Sequence, residues 1–144
     1  MKITLERFSN NNYWLYGKIC TSNGFKCDSL EMGNENQIES GTYKVTLAQT
    51  RDKLNTLISI WDDSFNFISV FVTNNNYIYQ NIEIRRDNNF ITIGFSNDTC
   101  WLNNTHGIYF QLRTIVEKAI ENGEKVELIV KNTLKPTKNE EIYV

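Results

Sequence analysis

Residues Asn81–Gly94, NIEIRRDNNFITIG, contain the pattern on which the fold prediction depends. Isoleucines alternate with other residues on both sides of the central DNN triplet, and this period of two is typical of half-buried strands. The triplet favours a turn, because Asn and Asp tolerate left-handed backbone and bond to it locally. The stretch therefore predicts a hairpin. The candidate binding cleft is the polar group at its tip: Arg85, Arg86, Asp87 and Asn88. The simpler alternative for these four is a charged hairpin tip.

Similar alternation through much of the chain predicts a strand-rich domain. A first strand is expected around Ile3, Leu5 and Arg7, and a polar loop over 31–40. Further strands are predicted over 13–20, 25–30, 41–49, 54–61, 65–72, 77–85 and 124–130. The runs over 54–61 and 65–72 are expected to be mostly buried, with a turn at Asp62-Asp63-Ser64 between them.

Beyond Ile108 the apolar spacing changes to three and four residues, which predicts one helix near Gly107–Asn122. Its core face would contain Leu112, Ile115, Val116 and Ala119. The expected fold class is α+β, mainly β: an antiparallel sheet or sandwich-like domain with this C-terminal helix packed on it and a final strand. Residues 1–131 would form a single domain and residues 132–144 a C-terminal tail.

Composition excludes several classes of protein. A formal net charge of −2, with both signs interspersed, does not suggest a nucleic-acid surface. No apolar run approaches the roughly 18 residues of a membrane span, and the first residues lack a signal-peptide core. We therefore expect the protein in the cytoplasm of the producing cell or within a virion, with neither nucleic acid nor membrane as partner.

The three cysteines are an odd number, which argues against a disulfide framework. Asn23-Gly24 predicts a two-residue type I′ turn. This turn would place Cys20 opposite Cys27 as reduced cross-strand neighbours. No second Cys or His pair accompanies them, so no metal site and no cofactor are expected.

Catalytic residues are sparse. His106 is the one histidine, and Glu31, Glu35 and Glu39 fall in the predicted loop, where nothing fixes their separation. General acid–base chemistry needs such groups at a defined separation. From the residues alone, the prediction is a soluble β-rich domain without an assigned activity.

Three segments and one arginine, in order, resemble motifs of a small family of unknown function found in bacteria and tailed phages. Cys27–Glu31 (CDSLE) resembles its C-x-TLE motif, and Ile38–Val45 (IESGTYKV) resembles I-x-x-GTYKV, with Arg51 soon after. Leu102–Asn104 resembles the LNS that precedes the family's helix. The family also has H-x-GN and GC motifs similar to those of L,D-transpeptidases, in which a His activates a Cys for acyl transfer on peptidoglycan stem peptides.

At those two motifs the chain departs from the family. Arg85 stands at the position of the His and Phe90 at that of the Cys. Arginine cannot lose a proton at working pH, and phenylalanine has no nucleophile. Cys100 lies beyond a further predicted turn and does not replace the missing thiol. The resemblance therefore implies a scaffold that is catalytically silent.

The expected function is that of an interaction or structural protein, encoded by a phage or prophage, with a virion component as one form. Its partners would be other protein chains, including copies in an oligomeric assembly. The alternatives are a peptidoglycan-directed enzyme or cell-wall binder, whose arginines would bind carboxylates, and a host-directed inhibitor. In the tail, Ile142, Tyr143 and Val144 are expected to dock as an edge strand or to be a frayed end.

Overall fold

The computed structural model describes residues 1–10, 14–32, 37–49, 56–72, 90–96 and 102–133. These residues contain nine strands and one helix, α1 (Thr105–Glu121). The strands are β1 (Lys2–Asn10), β2 (Trp14–Thr21), β3 (Lys26–Met32), β4 (Gly41–Gln49), β5 (Thr56–Trp61), β6 (Phe67–Val72), β7 (Ile91–Ser96), β8 (Leu102–Asn103) and β9 (Val126–Asn132).

Eight of the strands form a closed barrel in the order β3-β2-β1-β9-β4-β5-β6-β7, and β7 pairs with β3 to close it. The short strand β8 pairs with the far end of β7. The pairs β1–β9 and β6–β7 are parallel, and the other pairs are antiparallel. The expected class, α+β and mainly β, is confirmed. The sheet closes on itself instead of stacking in two layers, and closure protects edges that an open sheet would expose.

The barrel interior is filled by alternate residues of the strands, as a period of two requires. The buried strand residues of this core are Ile3, Leu5, Ile19, Cys27, Val45, Ile58, Ile60, Phe71, Ile91, Ile93, Val126, Leu128 and Val130. The strand predicted over the second half of Asn81–Gly94 is present as β7. Its neighbours in the ladder are β6 and β3. The first half of that predicted hairpin lies outside the described residues.

Helix α1 packs against the same core and contacts β4, β5, β7 and β9. The prediction for its face is correct for Leu112, Val116 and Ala119, which are buried, whereas Ile115 is only half-buried. The helix ends where Asn122-Gly123 predicts, with Gly123 in the left-handed region at φ 77°. Within the described residues, no helix combines the length and the apolar character needed to cross a membrane.

The register of the β2–β3 hairpin differs from the prediction. Cys20 pairs with Lys26 and Cys27 with Ile19, so the prediction that the two cysteines lie directly opposite each other is wrong. The turn contains three residues instead of two, with Gly24 at φ 97°, and the extra residue moves the register by one. Both thiols are free, and burial raises the pKa of Cys27 to about 12.

Candidate functional site

The hairpin between β5 and β6 turns through Asp63, Ser64 and Phe65. Asp62 donates its backbone N–H to the carbonyl of Asn66 at 3.0 Å, and the N–H of Phe65 donates to the carbonyl of Asp62 at 3.0 Å. One carboxylate oxygen of Asp62, Oδ1, accepts the backbone N–H groups of Ser64 at 2.9 Å and Asn66 at 2.8 Å. Hydrogen bonds from Asn66 above all, and then from Ser64, hold the pKa of Asp62 below its usual value. The Asp62 carboxylate is thus the brace of this turn.

Phe65 occupies a backbone conformation that phenylalanine rarely adopts. Its φ is 60°, in the left-handed region where glycine and asparagine are the usual residues. Such a conformation costs on the order of 1–3 kcal/mol. The side chain is 63% exposed, so burial does not offset this cost. An exposed aromatic ring in a strained turn is typical of a binding position, because strained residues concentrate at functional sites.

Two more aromatic rings lie beside this turn on the outer face of the barrel. Lys44 of β4 pairs with Trp61 of β5, and Trp61 pairs with Phe67 of β6, so the three side chains lie in one row. The Trp61 and Phe67 rings meet edge to face at 5.6 Å, and the Lys44 ammonium lies 3.8 Å from the centroid of the Phe65 ring. We call Trp61, Phe65 and Phe67, together with Lys44, the aromatic tip.

The indole of Trp61 is held in place by a further hydrogen bond. Its Nε1–H donates at 2.8 Å to Oγ1 of Thr46, which lies two residues after Lys44 on β4. A braced turn and a bonded indole leave fewer rotations to freeze on binding, and this lowers the entropic cost of association. The aromatic tip is therefore a preorganised surface. It presents ring faces and one cation.

A second polar group lies inside the barrel, where Arg7 forms a two-point ion pair with Glu31. Arg7 Nε donates to Glu31 Oε2 at 3.0 Å and Nη2 donates to Oε1 at 2.8 Å. Nη1 donates to the backbone carbonyl of Ile38 at 2.6 Å. Arg7 is 2% exposed and Glu31 1% exposed. This pair joins β1, β3 and the segment leading to β4, and solvent does not reach it.

The packing around this ion pair requires a glycine. A Cβ at Gly17 would lie 2.6 Å from Ser29 Oγ and 2.9 Å from Leu5 Cδ1. Ser29 Oγ is buried and has no hydrogen-bond partner among the described residues. Both oxygens of the Glu31 carboxylate are engaged by arginine, which holds its own proton at working pH. The arrangement is suited to holding strands in register and gives no free acid or base.

Several expected site residues lie outside the described part of the chain. They are Arg85, Arg86, Asp87 and Asn88 of the candidate cleft, Ile142, Tyr143 and Val144 of the tail, and Glu35 and Cys100. Phe90, at the position that resembles the family's Cys, is described. It is 6% exposed and packs with Val70 and Val72. Its surroundings are those of a packing residue.

The other expected acid–base candidates are described, and each belongs to a different part of the fold. Glu31 belongs to β3 and not to the predicted loop, because β3 extends to Met32. Glu39 is exposed, and its carbonyl accepts the hydroxyl of Tyr43. His106 lies in the first turn of α1. Among the described residues, no three His, Cys, Asp or Glu side chains are placed to hold a metal ion.

The sequence predictions missed the aromatic tip. They placed Phe65 in a mostly buried strand, whereas β6 begins at Phe67 and both rings are exposed, at 63% and 37%. One signal for this turn was present in the sequence, namely an aspartate at its first position. In the structure the Asp62 carboxylate accepts backbone N–H groups two and four residues on, as turn-initiating aspartates do.

Comparison with known proteins gave no match to any protein-family model, curated protein or solved structure.

Proposed function

We propose that this chain is a catalytically silent interaction protein that binds another protein chain through the aromatic tip. The observation that carries the proposal is Phe65, an exposed aromatic ring held at φ 60° in a turn that a glycine would make without strain. Neither burial nor turn chemistry accounts for a phenylalanine there. The contact with Lys44 is a small gain against the strain, and contact with a partner would supply the rest.

Known interface energetics support this assignment. Aromatic residues are enriched at the energetic centres of protein interfaces. Three of them lie together at the aromatic tip, beside a lysine whose ammonium lies over one ring. Exposed aromatics scattered singly would need no explanation, but a clustered and braced set does.

The motif resemblance extends the proposal to a biological setting. It suggests a phage or prophage protein whose partner is another chain of a phage particle, or a host protein that it inhibits. The cell-wall alternative depends on Arg85, Arg86, Asp87 and Asn88, which the structure does not describe. That alternative is tested alongside the proposal.

The test is site-specific photocrosslinking in the producing cell. A benzoylphenylalanine placed at Phe65 should give a discrete adduct with another protein chain. The matched control is the same probe at Phe110, an aromatic residue of α1 that is similarly exposed. In parallel, the purified protein is incubated with isolated peptidoglycan and followed by co-sedimentation and by release of soluble products.

A discrete adduct at residue 65 but not at residue 110, without product release, would support the proposal. Equal labelling at both positions, or no adduct at either, would contradict it. Co-sedimentation with peptidoglycan that survives Phe65→Gly would favour the cell-wall alternative.

A further inference from the structure

The β5–β6 turn of the aromatic tip carries two adjacent carboxylates. Asp62 and Asp63 belong to the turn itself, and Glu127 of β9 pairs with Lys44 on the outer face of the barrel. The same row contains two cations, Lys44 and Lys2 of β1, which pair with Glu127 on either side. A partner that brought further carboxylates here would be repelled, and a partner that brought cations would be attracted.

Lys44 shows what kind of group the aromatic tip accommodates. Its ammonium lies 3.8 Å from the centroid of the Phe65 ring, a cation–π distance. The same nitrogen donates to the backbone carbonyl of Asp63 at 3.3 Å, which is long for a hydrogen bond. The protein's own lysine thus occupies a cation site made from a ring face and a carbonyl oxygen.

We propose that the aromatic tip binds a basic segment of its protein partner, with an arginine side chain in contact with the ring faces and the turn carboxylates. This inference rests on the proposed function and adds the chemistry of the partner. Arginine fits better than lysine, because its planar guanidinium stacks on aromatic faces and bonds to carboxylates with two N–H groups at once. In this arrangement Phe65 and Trp61 supply the faces, and Asp63 supplies an exposed carboxylate.

The test uses two short fluorescein-labelled peptides, one of alternating glycine and arginine and one in which citrulline replaces every arginine. Citrulline keeps the shape of arginine and removes the charge. Binding to the full chain is followed by fluorescence anisotropy. We expect the arginine peptide to bind about tenfold more tightly than the citrulline peptide, and more weakly as salt rises.

Variants locate the binding on the protein. Phe65→Gly and Asp63→Asn should each weaken binding of the arginine peptide several-fold. Phe65→Tyr keeps a ring and should bind this peptide as the parent does. Lys44→Met should tighten binding, because it removes the internal competitor and a like charge. Glu121→Gln, at the end of α1, removes one exposed carboxylate elsewhere and should have no effect.

Each contrary outcome is informative. Equal binding of both peptides, lost in Phe65→Gly, would overturn the basic-segment inference and leave the interaction function in place. Arginine-peptide binding that is unchanged in Phe65→Gly would show general charge attraction and would also overturn it. The inference equally falls if neither peptide binds, whereas the crosslinking result at residue 65 decides the proposed function separately.

Discussion

The β2–β3 and β5–β6 hairpins make the same turn with different residues at its left-handed position. In both, the first residue donates its backbone N–H to the carbonyl four residues on, and the fourth residue donates to the carbonyl of the first, at 2.9–3.0 Å. The fourth residue is Gly24 in one hairpin, at φ 97°, and Phe65 in the other, at φ 60°. The side chain of the first residue accepts a backbone N–H in each case.

The difference separates two uses of one backbone shape. Glycine adopts positive φ freely, so the β2–β3 turn satisfies its hydrogen bonds without strain. Phenylalanine adopts the same region only at a steric cost, and its ring points into solvent. A turn that serves only to reverse the chain has no need of that ring. Chain reversal alone explains the glycine turn, whereas the binding role proposed for the aromatic tip would explain the exposed ring in the other turn.

The largest predicted effect concerns how the first hairpin is anchored in the barrel. Its strand β3 holds Glu31 against Arg7, and Arg7→Leu would leave a buried carboxylate without a partner. We expect the free energy of unfolding to fall by about 3–5 kcal/mol in urea unfolding. The double variant Arg7→Leu/Glu31→Leu should recover much of this loss, because no buried charge remains. A loss under about 1 kcal/mol for the single variant would show that the pair does not anchor the hairpin.

The next prediction introduces the same backbone strain into the turn of the β2–β3 hairpin. Gly24→Phe places a side chain at φ 97°, where open space surrounds the Cβ position but the backbone disfavours it. We expect a loss of about 1–3 kcal/mol in unfolding free energy. Gly24→Asn is the matched control and should cost less, because asparagine tolerates this region. If Gly24→Phe were as stable as the parent, the strain assigned to Phe65 would be wrong.

The reverse substitution should have a smaller effect on stability and a large one on binding. Phe65→Gly removes the strain and also the contact of the ring with Lys44. We expect an unfolding free energy that is unchanged or higher by up to about 1 kcal/mol. The same variant should lose the crosslinked partner. A loss of stability above about 1 kcal/mol would mean that Phe65 serves the fold.

The smallest effect is one of pH. The pKa of Asp62 is held below 3.8 in the folded state, mainly by the Asn66 N–H groups. A depressed folded-state pKa gives stability that is present above the unfolded value and lost as pH falls through the folded value. The chemical shift of the Asn66 amide should therefore change with a midpoint below pH 3.8. Tm should fall slightly over the same pH range, and Asp62→Asn should abolish this fall. The β2–β3 turn uses Thr21 as its brace and should show no such transition. An Asn66 midpoint at or above the ordinary value would contradict the assignment.

The alternation of apolar and polar residues predicted most strands well, but it did not predict which strands are adjacent in the sheet. The predicted strand over 41–49 matches β4. The predicted helix begins two residues after the first residue of α1. Barrel closure and the parallel β1–β9 pair could not be predicted, because a period of two identifies an inward face without naming the adjacent strand. The Arg7–Glu31 pair depends on that adjacency, so its two members looked like unrelated polar residues.

The candidate site was predictable only in part. Asp62-Asp63-Ser64 was expected to form a turn, and it does. Phe65 was assigned to a buried strand because apolar residues are usually buried, and no sequence pattern indicates positive φ at a phenylalanine. The turn at Asn23-Gly24 was correctly placed, but it has three residues instead of the predicted two. The extra residue changes the register of the β2–β3 pair.

The position of β9 has a consequence for how the molecule folds. It lies between β1 and β4, in parallel with β1, so residues near opposite ends of the described chain share one ladder. The barrel cannot close until this strand is in place, and contacts at such sequence separation form slowly. Until then, β1 and β4 would each present an unpaired edge. During synthesis, closure must therefore wait for the strand at residues 126–132, and the open-edged intermediate would be the species most prone to aggregation.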